Sequence, residues 1–254
     1  MKKAPIRKAM GNLLSKALTE SAAEIFSRRS EMPLAGAGCE GCGKCVSACP
    51  TKAIRVSDVW TIDIGRCILC TDCVPACPNG AISVVEAPDY SLTREGLIFR
   101  RGDTVSTGPG TMPGNILKVM RGSVSIREVD TGSCNACEVE VNSLSNPYYD
   151  MERFGLKITA SPRHADMLLV TGPVTENMRD ALLKAAEATP DPKVIVAMGA
   201  CAISGGMFAG GRVIGDGIGD TVKADMFIPG CPPAPDRLLR ALLSALGRGP
   251  NAQK

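Results

Sequence analysis

The feature that most constrains this chain is a repeat. Residues 39–54 read CEGCGKCVSACPTKAI, and residues 67–82, 28 positions on, read CILCTDCVPACPNGAI. Each copy has the form C-x2-C-x2-C-x3-C-P, with Ala-Ile two residues further. Eight thiols at this spacing force two short loops to close around something, and Pro50 and Pro78 turn the chain after the fourth cysteine of each copy. Gly43 and Gly80 are expected where the backbone turns tightly or comes close. Four more cysteines lie downstream and complete the twelve: Cys134 and Cys137 in DTGSCNACEVE, Cys201 in GACAISGG and Cys231 in PGCPPAP. A pair two residues apart needs two further soft ligands to close a sulfur site, and Cys201 and Cys231 are what the chain supplies.

Composition narrows the class. A 254-residue chain is long enough for one or two cores. Secreted disulfide scaffolds are much shorter, and residues 1–30 lack the apolar stretch of a secretory signal. Clustered cysteines in such a chain point to metal binding on the cytoplasmic side. No apolar run approaches a membrane span, and a net charge of +3 gives no argument for nucleic acid.

Residues 1–30 carry five basic residues and no acid in the first sixteen. Ile6, Met10, Leu13, Leu14 and Ala17 recur at helical spacing, so a basic amphipathic leader helix is expected. It suits an anionic membrane surface or a partner subunit. A two-site domain spans 31–100, and the Gly/Pro/Thr-rich stretch 101–114 is a linker. From 115 to 254 strands and helices alternate. SVSIREVD, GLKIT, DMLLVTG, KVIVAMG and MFIPG are strand-like; Thr175–Ala188, capped by Thr175, and PAPDRLLRALLSAL are helices. This pattern gives an α/β domain with a mainly parallel sheet. Sites in such sheets lie beyond the carboxyl ends of the strands, where Cys134, Cys201 and Cys231 fall.

Other features carry less. The glycine-rich run from Ser204 to Asp220 lacks the strand–helix context of a dinucleotide site and reads as a tight loop. Arg163 and the single histidine, His164, are candidates to tune the third cysteine group from outside the ligand shell. Glu138 and Glu140 suit the positive end of a helix dipole, and Glu140 is the candidate for a proton-path carboxylate. Zinc is the alternative metal, but zinc motifs do not usually recur as four cysteines with a trailing proline, twice.

The doubled run resembles that of bacterial two-cluster ferredoxins. That resemblance implies two 4Fe–4S clusters, with the fourth cysteine of each copy serving the other copy's cluster. Cluster 1 then takes Cys39, Cys42, Cys45 and Cys77; cluster 2 takes Cys67, Cys70, Cys73 and Cys49. Residues 115–247, through GSCNACEVE, YYDMERFGLK, SPRHADMLLVTGPVTENM, GACAISGG and IPGCPPAPD, resemble the small-subunit family. It is shared by nickel–iron hydrogenases and a small cluster-bearing subunit of respiratory complex I. The resemblance implies a flavodoxin-like fold and a third 4Fe–4S cluster on Cys134, Cys137, Cys201 and Cys231. The two residues between Cys134 and Cys137 resemble the energy-converting, formate hydrogenlyase-type hydrogenases rather than complex I. Ala136 stands where glycine is usual.

The expectation is an electron-transfer subunit with three 4Fe–4S clusters and no complete catalytic centre of its own. It would join a nickel–iron large subunit and membrane-arm subunits, peripherally on the cytoplasmic side of a membrane. The alternative is a complex I-like subunit without nickel that passes electrons to quinone or another acceptor.

Overall fold

A computed structural model describes residues 30–105 and 110–248. The expected leader helix lies outside these residues except for Ser30, which opens a strand. The first unit comprises β1 (Ser30–Ala35), the short α1 (Lys44–Ala48), β2 (Ile54–Val56), β3 (Trp60–Asp63), β4 (Ile82–Ala87) and β5 (Ile98–Arg100). β1 and β4 pair antiparallel, so the strand entering the first cysteine run lies against the strand leaving the second. β2, β3 and β5 form a separate antiparallel sheet with β3 in the middle.

The sequence repeat is also a backbone repeat. Positive φ occurs at Gly41, Gly43 and Lys52 in the first copy and at Leu69, Thr71 and Gly80, each 28 positions later, in the second. Every such pair has glycine in one copy and a residue with a side chain in the other. The wrapping of the cysteines therefore dictates left-handed backbone at these places, and glycine merely removes the steric cost in one copy.

The second unit runs α2 (Gly114–Val119), β6 (Val124–Asp130), α3 (Ala136–Ser143), β7 (Leu156–Ile158), β8 (Met167–Thr171), α4 (Glu176–Ala188), β9 (Val194–Met198), α5 (Gly199–Ser204), β10 (Met226–Ile228) and α6 (Pro235–Ala245). Its five strands are all parallel, in the order β10-β9-β8-β6-β7. Counted along the chain this is the 2-1-3-4-5 order of flavodoxin-like sheets, whose switch point lies between β6 and β8. The strands are apolar on both faces, as a sheet covered on both sides requires. Met167, Leu169, Val194 and Val196 face α6, while Leu168, Val170, Ile195 and Ala197 face the other way. That second face shares one core with Met32, Trp60, Ile62 and Leu97 of the first unit.

Two details differ from the sequence expectation. Thr175 precedes α4 but makes no side-chain cap; its hydroxyl donates instead to the Thr131 carbonyl at 3.1 Å. The polar face of α6 is covered as well as its apolar one, with Asp236, Arg237 and Arg240 all buried. The cause is residues 88–97, which lie within the span expected for the first domain but run along the second. Ser91 exchanges backbone hydrogen bonds with Phe227 of the edge strand β10, at 2.9 and 2.8 Å. Arg240 donates to both carboxylate oxygens of Asp89 at 2.9 Å and to Asp236 at 3.0 Å. Arg237 donates to the Pro88 carbonyl at 2.7 Å.

Candidate metal centres

The structure draws the twelve cysteines into three groups of four. Cys39, Cys42, Cys45 and Cys77 line one narrow pocket, partly open to solvent, together with Gly41, Trp60 and Pro78. Cys49, Cys67, Cys70 and Cys73 line a second, with Ile54, Ile62 and Thr71. Each cavity thus combines three cysteines of one copy with the fourth of the other. Backbone N–H groups point at the sulfurs: Ala53 donates to Cys49 and Ala81 to Cys77, both at 3.3 Å, and Leu69 donates to Cys67 at 3.4 Å.

The third group lies at the carboxyl end of the parallel sheet. Cys134 leaves β6 at the switch point, Cys201 lies in α5 directly after β9, and Cys231 follows β10. The loop carrying Cys134 is locked by short-range bonds. Asp130 Oδ1 accepts from the N–H groups of Gly132 and Ser133, each at 2.8 Å, and Thr131 Oγ1 donates to the Thr171 carbonyl at 2.6 Å. Glycines let backbone approach the sulfurs. A Cβ on Gly199 would come within 2.8 Å of Cys137 Sγ, and one on Gly206 within 3.0 Å of Cys201 Sγ.

Electrostatics sets these thiols apart from ordinary ones. Burial pushes Cys67 up to about 11 and Cys73 up to about 12. In the third group burial, with neighbouring thiols and Glu138 adding to it, pushes Cys137 far up and Cys201 up to about 11. Burial and then Cys134 raise Cys231. Cys77 moves the other way, because the backbone N–H groups of Ala81, Asn79, Ile82 and Gly80 together outweigh the burial cost. Four thiolates in one desolvated space repel one another, so a group that supplies positive charge is what these sites can accept. Among the described residues no three His, Cys, Asp or Glu side chains are disposed to hold a single metal ion. All-sulfur donors, amide N–H groups aimed at them and glycine clearance at the third group fit an iron–sulfur cluster.

Residues 38–81 match the 4Fe-4S dicluster domain. Residues 134–245 match the family model described as NADH ubiquinone oxidoreductase, 20 Kd subunit. Over 118 residues the chain is 44% identical to the "Probable membrane-bound hydrogenase subunit mbhJ" of Pyrococcus furiosus, covering 46% of this chain and 71% of that one. The chain belongs to the family that this model describes. In this member a dicluster domain precedes the oxidoreductase-subunit domain, which makes it an iron–sulfur protein. It is also 43% identical over 144 residues to formate hydrogenlyase subunit 7 of Escherichia coli K12, covering 57% of this chain. That match spans 56% of the relative, a little over half its length. With NAD(P)H-quinone oxidoreductase subunit K of a Picosynechococcus species it shares 42% identity over 108 residues, covering 42% of this chain and 44% of that one.

The remaining candidate residues fare differently. Glu140, on α3, is half-buried, and burial followed by Asp236 raises its carboxyl. The more deeply placed acid of that helix is Glu138, 8% exposed beside Cys137. Its Oε1 accepts from the Thr171 hydroxyl, while Oε2 is buried without a protein partner. Glu128, on β6, has a buried Oε1 in the same condition; burial, then Glu138 and Asp130, pushes it up to about 7 against the pull of Arg127. Sequence patterning read Glu138 only as an acid serving a helix dipole and passed over Glu128, although a charged residue inside a buried parallel strand is a signal. Arg163 and His164 are exposed on a single turn before β8. Asp166, two residues on, pairs with Ser125 at the start of β6 through bonds of 2.8 Å each way. At about 3.3 Å per residue, that is roughly 17 Å from the cysteine end of the strand. The expectation that Arg163 and His164 tune the third group is therefore corrected: they belong to the opposite end of the sheet.

Proposed function

We propose that this chain holds three 4Fe–4S clusters and relays electrons within a membrane-associated hydrogenase of the formate hydrogenlyase type. Cys39, Cys42, Cys45 and Cys77 hold the first; Cys49, Cys67, Cys70 and Cys73 hold the second; Cys134, Cys137, Cys201 and Cys231 hold the third. When bound, such clusters supply one-electron carriers. The nickel–iron centre is carried by a separate large subunit next to the third site. Membrane-arm subunits complete the complex on the cytoplasmic side, with residues 1–30 toward the membrane surface. Residues 31–100 form the dicluster domain, 101–114 the linker and 115–254 the oxidoreductase-subunit domain, and Glu140 is the carboxylate of a proton path.

The observation that carries the reading is the sorting of all twelve cysteines into three groups of four. The order of the sites is supported by one contact. Ser204, three residues after Cys201, donates its hydroxyl to the carbonyl of Gly65, two residues before Cys67, at 3.1 Å. This contact supports the second site as the neighbour of the third, with the first site outermost. No helix among the described residues is long and apolar enough to cross a membrane.

The second reading, a nickel-free complex I-like subunit, is favoured by the similarity to the quinone oxidoreductase subunit K. Purification of the native complex, followed by nickel analysis and a hydrogen-evolution assay, separates the two. Nickel with hydrogen evolution supports the hydrogenase. A complex without nickel that reduces quinone overturns it.

A further inference from the structure

Trp60 is 2% exposed, and its indole Nε1–H donates to Cys45 Sγ at 3.3 Å. A buried indole N–H needs an acceptor. A neutral thiol is a poor one, whereas a thiolate on iron carries charge, and bonds to charged acceptors are about twice as strong. The bond therefore reaches its full strength with metal in place. The ring is held firmly for this purpose. Trp60 lies on the middle strand β3, pairs with Val56 of β2, and its carbonyl accepts from the Arg101 N–H at 2.9 Å.

The second copy has no counterpart. The residue 28 positions after Trp60 is Pro88, which has no side-chain donor. The amide bonds from Ala53 to Cys49 and from Ala81 to Cys77 match each other at 3.3 Å, and the further N–H groups around Cys77 are backbone donors that a change at Trp60 leaves in place. The second site keeps the Leu69 N–H on Cys67 at 3.4 Å and the Thr51 hydroxyl 3.8 Å from Cys49. Among the described residues no other side-chain N–H reaches any of these eight sulfurs.

We propose that Trp60 is a tuning residue that selectively raises the reduction potential of the cluster held by Cys39, Cys42, Cys45 and Cys77. This rests on the ligand assignment given above. One-electron reduction makes and breaks no bond, and the indole proton stays on Nε1. The added negative charge is shared by the sulfurs, so a donor to Cys45 favours the reduced state over the oxidised one.

The test is an EPR-monitored redox titration, with dithionite as reductant, on the full-length chain purified anaerobically with its clusters. Trp60→Phe removes the donor. Replacement of Trp60 by its benzothienyl analogue, with sulfur in place of the indole N–H, removes it while keeping the ring shape. The expected result is a downward shift of one dicluster-domain potential, with the other and that of the third cluster unmoved. In deuterated buffer, the shifted cluster also loses the exchangeable-deuteron ENDOR coupling that comes from the indole N–H, while couplings from backbone amides such as Ala81 remain. If no potential moves in the benzothienyl variant, or both dicluster-domain potentials move together, the proposal is overturned. Should Trp60→Phe fail to retain its clusters, the analogue decides. A wild-type chain that lacks a cluster on the first cysteine group would instead overturn the ligand assignment.

Discussion

Gly199 fixes how closely the exit from β9 can approach Cys137. Its φ is +85°, and a Cβ there would lie 2.8 Å from Cys137 Sγ. Both the backbone conformation and the clearance therefore oppose any side chain. Gly199→Ala is expected to disrupt the third site and leave the dicluster domain intact. Iron content should fall by about a third, the share of one cluster in three, with loss of the third reduced-state EPR signal and retention of the other two. Single residues are also where patterning misjudged the site. Glu138 has the sequence context of a solvated acid serving a helix dipole, but the turn that brings Cys137 to the site also buries it. Arg163 and His164 belong to a recognisable run, yet the parallel crossover carries that run to the amino end of the strands.

Among the elements, α6 and residues 88–97 form the joint between the two units. Arg240 is 3% exposed and is neutralised from two sides, by Asp89 of the strap and Asp236 of its own helix. Removing one partner of a buried ion pair leaves charge uncompensated, at a cost of about 3 kcal/mol. Asp89→Ala is accordingly expected to lower the thermal unfolding midpoint of the full chain, measured by circular dichroism; an unchanged midpoint would mean that Asp236 alone suffices.

Much of the element layer was legible. The strand runs, the parallel sheet and the location of three cysteines at strand ends follow from local periodicity and the placement of KVIVAMG, SVSIREVD and MFIPG. The joint was not legible. PAPDRLLRALLSAL has the periodicity of a surface helix, and what buries its arginines lies far earlier in the chain, at Pro88 and Asp89. Likewise the contact between Ser204 and Gly65 depends on Gly65 having no side chain: a Cβ there would meet Ile203 at 2.7 Å and Arg94 at 3.0 Å. A single glycine in a loop does not announce such a contact. The 28-residue repeat, by contrast, is visible in the sequence as a fixed spacing of cysteines, and the backbone repeats with it.

Across the whole molecule, the first unit and one face of the parallel sheet share a continuous apolar core that includes Trp60, Leu97, Ile203 and Phe227. Continuous packing fixes the spacing of the second and third cysteine groups more firmly than a flexible linker between domains could. The three cysteine groups are therefore held in place by packing between the two units as well as by the chain that connects them. What those groups hold, and how many clusters the chain carries, is decided by the iron, acid-labile sulfide and zinc content of the full-length chain purified anaerobically. Three four-iron clusters correspond to about 12 iron and about 12 sulfide per chain, with zinc absent. A content of about 8 of each, the share of two clusters, or zinc at any of the three cysteine groups, would contradict it.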